Sequence, residues 1–128
     1  MADGETSGVV TEDAAASGLA LLGEMSPDLR GGAILDSEGS VLAASGSPER
    51  WREDAATLFD VADRAGPEAV EQLHIATEQG EVFALRHGGL AAVTVTDRFA
   101  LASLLFFDMR SVLRDLAAGG EGEAVDAS

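Results

Sequence analysis

The sequence predicts an α+β fold, in which one five-stranded antiparallel sheet carries helices on both faces. Apolar runs at 32–35 and 41–44 flank a polar turn that contains glycine, a pattern typical of a β-hairpin. Strand-like runs at about 69–78, 80–87 and 89–96 are joined by links so short that consecutive strands must be antiparallel. Helical stretches precede, interrupt and follow these strands, which gives the order α-β-β-α-β-β-β-α.

Helical spacing of apolar residues predicts the first two helices. The first runs from Asp13 to about Met25, and Pro27 lies beyond its end. The second begins at Pro48, with Ser47 as the predicted N-cap, and is ended by Gly66-Pro67. Its apolar positions recur at i, i+4, i+7, i+8 and i+11 and form one amphipathic stripe: Trp51, Ala55, Leu58, Phe59 and Ala62.

The last helix is predicted from about Phe99 to Ala117. Between residues 101 and 109 its apolar surface is wider than one stripe, which indicates burial on more than one side. The chain ends are rich in Gly and acidic residues, so we expect flexible tails at 1–12 and 118–128. A length of 128 residues fits a single domain, placed at 13–117.

Charge and composition argue against several classes of partner. The chain has 8 basic and 23 acidic residues and a formal net charge of −15 at pH 7, whereas nucleic acids require a cationic face. The same charge disfavours an anionic membrane surface. No apolar run reaches the roughly 18–20 residues of a membrane span. Because cysteine is absent and the N-terminus does not resemble a signal peptide, we expect a cytoplasmic protein.

No motif predicts catalysis, a metal or a cofactor. His74 and His87 are the only histidines, and their unequal offsets across the predicted hairpin make them poor partners in a metal site. The segment 36–39, DSEG, resembles the start of a calcium loop but lacks the helix-loop-helix context, so hairpin turn chemistry explains it better. The chain contains no lysine, hence no Walker A motif, and no G-x-S-x-G elbow. We therefore expect that the protein is not an enzyme.

Several residues of the middle helix have more than one plausible role. Trp51, the only tryptophan, is expected to be a core or interface anchor, with ligand stacking as the alternative. Carboxylates such as Asp60 and Asp63 are expected on a solvated polar face rather than in an acid–base site. Arg50 and Arg52 are expected to pair with acidic residues of the helix or, alternatively, to offer guanidinium groups across an interface.

Three stretches of sequence, taken in order, resemble the roadblock/LC7 family. Residues 30–45, RGGAILDSEGSVLAAS, are similar to the first hairpin of the family. GEVFAL at 80–85 and GGLAAV at 88–93 resemble its closing hairpin, and DMRSVLRDL at 108–116 fits its terminal helix. The resemblance covers roughly residues 13–117 and implies a layered, profilin-like architecture.

The resemblance also implies a function and partners. Members are small non-catalytic domains that pair through the middle helix and an edge strand, so that two sheets become one. They scaffold or regulate Ras-like GTPases, in bacteria as GTPase-activating partners. In this sequence the pairing elements are 49–65 and 69–78, and the implied partners are a second copy of the chain and a Ras-like small GTPase. The candidate interface residues are Trp51, Leu58, Phe59, Asp60, Asp63, Leu73 and Ile75.

Two other functions stay open at this point. One is a signalling adaptor that holds proteins such as a kinase without affecting nucleotide turnover. The other is a small-molecule sensor, since a sheet flanked by helices can host a ligand, although the sequence marks no polar cluster in an apolar pocket. Measuring GTP hydrolysis by a Ras-like partner, with and without this protein, distinguishes a GTPase regulator from both.

Overall fold

The structure has the predicted order of elements. It is a computed structural model that describes residues 10–127, with side chains as far as residue 119. In that range the helices and strands are α1 (Glu12–Met25), β1 (Leu29–Asp36), β2 (Val41–Ala44), α2 (Pro48–Arg64), β3 (Gln72–Ala76), β4 (Glu81–His87), β5 (Leu90–Thr96) and α3 (Ala102–Ala127). The predicted α+β class is confirmed, and none of these helices is long and apolar enough to cross a membrane.

The five strands form one antiparallel sheet in the order β2-β1-β5-β4-β3. A row of paired residues crosses it from Leu73 through Ala84 and Val93 to Ala33. The β1–β2 hairpin therefore adjoins the last strand, β5, and not β3, the strand that follows it in the sequence. Strand β3, from the predicted run 69–78, lies at one edge of the sheet.

Side-chain hydrogen bonds and glycines build the hairpin turns. Asp36 Oδ1 accepts hydrogen bonds from the backbone N–H groups of Glu38 and Ser40, both at 2.9 Å. Such an Asx turn accounts for the acidic residue at this position. Gly88 and Gly89 have φ of 62° and 79°, in the left-handed region that a two-residue hairpin turn requires and that glycine adopts without strain.

Helices cover both faces of the sheet, as predicted. On one face α1 and α3 pack over a core of large side chains that includes Leu22, Ile34, Phe83, Leu85, Met109 and Leu113. On the other face α2 packs alone over a smaller cluster that includes Ala33, Leu35, Ala55, Phe59 and Val93. The small residues on this second face allow the backbone of α2 to approach the sheet closely.

The ends of α3 differ from the prediction. The helix begins at Ala102 rather than Phe99, because the preceding residues have irregular backbone in which Phe99 has φ of 66°. It continues to Ala127 rather than ending at Ala117. Each glycine inside a helix costs only about 1 kcal/mol relative to alanine, which alanine and glutamate neighbours can offset. Flexible behaviour of 118–128 stays a prediction, and most of 1–12 lies outside the described residues.

Within a single chain, residues 101–109 are not buried on more than one side, although the sequence predicts such burial for them. Leu105, Phe106 and Met109 are buried, whereas Leu101 and Phe107 are 65% and 64% exposed. A single layer of helices covers this face of the sheet, so the outer side of α3 faces solvent. The excess apolar surface is therefore not part of the core of this chain.

Candidate partner-binding surface

Helix α2 does not cover its whole face of the sheet. Its backbone lies nearest to β2 and β1, and its Ala55 and Phe59 side chains pack in one cluster with Ala84 of β4 and Val93 of β5. Beyond the helix, Leu73, Val82 and Val95 are only partly buried, and Ile75 is 38% exposed. Ile75 pairs with Val82, and Val82 with Val95, so these side chains form one apolar row on the sheet. A second helical layer would be needed to bury this row.

Trp51 and Leu58 form the helical side of the same surface. They line a groove of about 510 Å³ whose sheet side is made by Val82, Val93 and Val95. The indole Nε1–H of Trp51 donates a hydrogen bond of 2.6 Å to the carbonyl oxygen of Ser45, which fixes the ring beside the first turn of α2. Trp51 thus forms a wall of the groove, where an incoming side chain can contact it.

Local sequence explains the position of Trp51. Ser47 is the N-cap, as predicted: its hydroxyl accepts a hydrogen bond of 3.4 Å from the backbone N–H of Arg50. Pro48 occupies the first turn, where its missing N–H costs nothing. The helix therefore starts at a defined residue, and Trp51 follows one turn later.

Strand β3 presents an open edge beside this surface. It pairs with β4 on one side, and within the described residues no strand pairs with its other side. Sheet edges are commonly protected by Lys, Pro or a bulge. The five residues 72–76, QLHIA, contain neither Lys nor Pro, and their register with β4 is regular. The edge can therefore accept another strand.

Four of the seven predicted interface residues share this site. The α2–β3 surface, as we define it, comprises Trp51, Leu58, Leu73, Ile75, Val82 and Val95. Phe59 is 8% exposed and packs in the core beneath it. Asp60 and Asp63 lie on a different side of α2, where they line a second, open cleft of about 630 Å³.

Asp63 is 35% exposed, but it is not the free surface carboxylate that the sequence predicts. Its two oxygens accept hydrogen bonds of 3.0 and 3.1 Å from the Arg86 guanidinium, and Oδ1 accepts a third, of 2.9 Å, from the Val70 N–H. The hydrogen bond from Arg86, followed by that from Val70, lowers the pKa of Asp63. Arg86 also donates to the Val70 carbonyl and stacks 4.0 Å from the centre of the Phe59 ring. Asp63 therefore joins α2 to β4 and to the segment before β3.

The predicted pairing of Arg50 and Arg52 within α2 is also wrong. Among the described residues, no carboxylate lies within 4.0 Å of either guanidinium. An arginine four residues before an acid, as in Arg50 and Asp54, is the less favourable orientation of such a pair. Arg50 instead lines the groove beside Trp51, at the rim of the α2–β3 surface.

Sequence reasoning missed a polar network at the edge strand. Glu81 is 7% exposed, and its carboxylate contacts His74 Nε2 at 2.6 Å and accepts a hydrogen bond of 2.5 Å from the Phe99 N–H. The His74 ring stacks on Phe83 with 4.3 Å between centroids. The hydrogen bond from His74 lowers the pKa of Glu81 more than burial raises it. The only available signal was that 74, 81 and 83 share one face of a hairpin.

The described residues hold no group of three or more His, Cys, Asp or Glu arranged to bind a metal ion. The two histidines are used separately. His74 contacts Glu81, and His87 ends β4 at the border of the second cleft. The α2–β3 surface combines apolar side chains, an open strand edge and polar groups at its rim.

The sequence matches no protein-family model and no curated protein. Solved structures are similar in fold. A roadblock/LC7 domain from Streptomyces avermitilis has a TM-score of 0.66 at 19% identity, over 79% of this chain and 92% of that one. MglB from Myxococcus xanthus has a TM-score of 0.67 at 11% identity, over 87% and 90%. Profilin from Schizosaccharomyces pombe has a TM-score of 0.56 at 15% identity, over 85% and 98%. Together with the strand order and the helical layers, these similarities show that the chain has the roadblock/LC7 fold.

Proposed function

We propose that this protein is a homodimeric regulator or scaffold of a Ras-like small GTPase, without catalytic activity of its own and located in the cytoplasm. The observation that supports the dimer is the open edge of β3 beside the partly exposed α2–β3 surface. Fold similarity to MglB and the sequence resemblance to roadblock/LC7 domains support the choice of a GTPase as partner.

Pairing of two β3 strands would solve two problems at once. The backbone groups of each free edge would find partners, and two five-stranded sheets would become one continuous sheet. The partly exposed rows that contain Ile75 and Val82 would then lie side by side in the two copies, on the face of the joined sheet that carries both α2 helices. In a two-fold dimer the same surface of each copy contacts its equivalent, so the dimer needs only one apolar surface per chain.

The proposed action on the GTPase needs no catalytic group in this chain. Contact with the GTPase can hold its own switch residues in the conformation that hydrolyses GTP. An arginine supplied in trans is the second mechanism. Arg50 and Arg52, in the first two turns of α2, are the candidates because neither is held by a carboxylate of the described chain.

The test uses a Ras-like GTPase encoded near the gene for this protein. We expect the two purified proteins to bind each other, and single-turnover GTP hydrolysis to change when this protein is added. Arg50→Ala and Arg52→Ala separate the two mechanisms, because only a trans arginine would make hydrolysis fall steeply while binding is retained. Binding with unchanged hydrolysis would support a scaffold, and absence of binding would contradict the proposal.

A further inference from the structure

A second apolar surface lies on the opposite layer of the protein, where α1 and α3 pack side by side. Leu21 and Met25 of α1 are 47% and 38% exposed. Leu101, just before α3, is 65% exposed, and Leu104 and Phe107 in the first turns of α3 are 51% and 64% exposed. We call these five residues the α1–α3 surface.

The five residues form one contiguous surface. Met25, Leu101 and Leu104 line the same small cleft between the two helices. Leu21 lies one helical turn before Met25, and Phe107 lies one turn after Leu104, so each extends the cleft along its helix. The exposed area is on the order of 500 Å², at the upper end for a monomeric protein. Single exposed apolar residues are common on protein surfaces and need no partner, whereas a contiguous apolar area of this size indicates a binding site.

Charges beside the surface are distributed unequally between the helices. All three charged residues of α1 are acidic. Three of the eight arginines of the chain, Arg98, Arg110 and Arg114, lie on α3 or just before it. Asp108 of α3 is buried and accepts a hydrogen bond from Ser26. The exposed Asp115 pairs with Arg114 at 3.5 Å, so among the described residues Arg98 and Arg110 are the two of these arginines without a carboxylate partner. One side of the surface is therefore acidic and the other carries arginines.

We propose that the α1–α3 surface is a second self-association interface, in which α1 of one copy packs over α3 of another and the reverse contact forms by two-fold symmetry. The apolar residues of both copies then bury one another, and each acidic α1 faces arginines. The other two-fold arrangement, with α1 over α1, would bring acidic residues together and is disfavoured.

The area of the α1–α3 surface is large enough for association with a second copy of the chain. Two copies would together bury on the order of 1,000 Å² of apolar area, close to the minimum for a specific interface. The α1–α3 and α2–β3 surfaces lie on opposite faces of the sheet, so both can be occupied at the same time. Two dimers joined through α2–β3 would then associate through α1–α3 into an assembly of four chains.

Sedimentation equilibrium of the full chain tests this interface. We expect a mass of four chains for the wild type at tens of micromolar, and a mass of two chains for Phe107→Glu and for Leu104→Glu. The control is Ala16→Glu, which adds the same charge to an exposed position on the flank of α1 that faces β2. It should leave the mass at four chains. Circular dichroism and the Tm of each variant establish that the fold is retained.

The outcomes separate this inference from the proposed β3 dimer. If only the α1–α3 interface forms, the wild type has the mass of two chains and Phe107→Glu the mass of one. Ile75→Lys then leaves the mass unchanged, and the inference stands without the β3 dimer. A wild type of two chains that Phe107→Glu leaves unchanged would overturn the inference. A single chain at all concentrations would overturn both interfaces.

Discussion

Asp63 of α2 and Arg86 of β4 form a two-point ion pair, with N–O distances of 3.0 and 3.1 Å across 23 positions of sequence. The pair lies beside the second cleft. Among the described residues, Asp60 on the same helix pairs only with Arg64, one turn away. These two carboxylates have similar sequence contexts but different roles. Asp63 holds elements together, whereas Asp60 belongs to an exposed ion pair within one helix.

Asp63→Asn is expected to lower the Tm clearly more than Asp60→Asn. The first change leaves Arg86 without the carboxylate that accepts two of its hydrogen bonds, although the amide oxygen can retain one. The second removes an exposed i,i+4 pair worth about 0.3–0.5 kcal/mol. Thermal unfolding followed by circular dichroism at pH 7 measures both. Equal Tm values would show that the pair with Arg86 stabilises the fold no more than the exposed pair of Asp60 with Arg64.

Glu81 should make stability depend on acidic pH. Its pKa is lowered in the folded protein relative to its ordinary value near 4.5. The stabilisation is therefore fully present above that ordinary value and is lost as the pH falls through the lower folded value. Urea unfolding from pH 6 to pH 3 measures the free energy of unfolding of the wild type and of Glu81→Gln. The difference between these two free energies should shrink as the pH falls. A difference that stays constant would mean that the charge of Glu81 does not matter.

Phe99→Gly is expected to be more stable than Phe99→Ala, by about 1 kcal/mol. The backbone at residue 99 has φ of 66°, which a side chain with a Cβ adopts only under strain and glycine adopts freely. The Phe99 side chain is 81% exposed, so both variants lose little packing. Chemical unfolding of the two variants gives the difference. The opposite order of stability would show that residue 99 does not keep this conformation.

The N-terminal boundary of the domain can be placed by deletion. The Thr11 hydroxyl accepts a hydrogen bond of 3.0 Å from the Ala14 N–H and caps α1. Thr11→Ala should therefore cost about 1 kcal/mol. Removal of residues 1–9 should leave the Tm within a few degrees, as expected for a polar tail. A large loss of Tm on this deletion would show that the segment is structural.

Much of the fold follows from local patterns in the sequence. Alternating apolar residues and glycine turns located the strands, and Ser47-Pro48 located the start of α2, because these features act over a few residues. The contact of Glu81 with Phe99 and the pair of Asp63 with Arg86 join distant segments, and no local pattern marks them. The exposed side of α3 also depends on how distant segments pack. The sequence therefore showed that α3 is apolar around Phe107, but not which side of the helix would face solvent.

The candidate site was predicted in part. Trp51, Leu58, Leu73 and Ile75 lie on one surface, because the apolar stripe of α2 and the alternation of β3 fixed their faces. Asp60 and Asp63 were assigned to the same interface on their position in α2, but a helix turns by about 100° per residue and carries them to another side. A fold alone does not specify the partner of a protein.

The mass of the wild type compared with that of Ile75→Lys tests the central claim most directly. Ile75 is 38% exposed on the free edge strand, so a lysine there can reach solvent in a single chain but would place two charges in the joined sheet. Sedimentation equilibrium at tens of micromolar should give an assembly for the wild type and half that mass for Ile75→Lys, with the same circular dichroism. A wild type that sediments as one 13.1 kDa chain, or a variant with the mass of the wild type, would contradict pairing through β3.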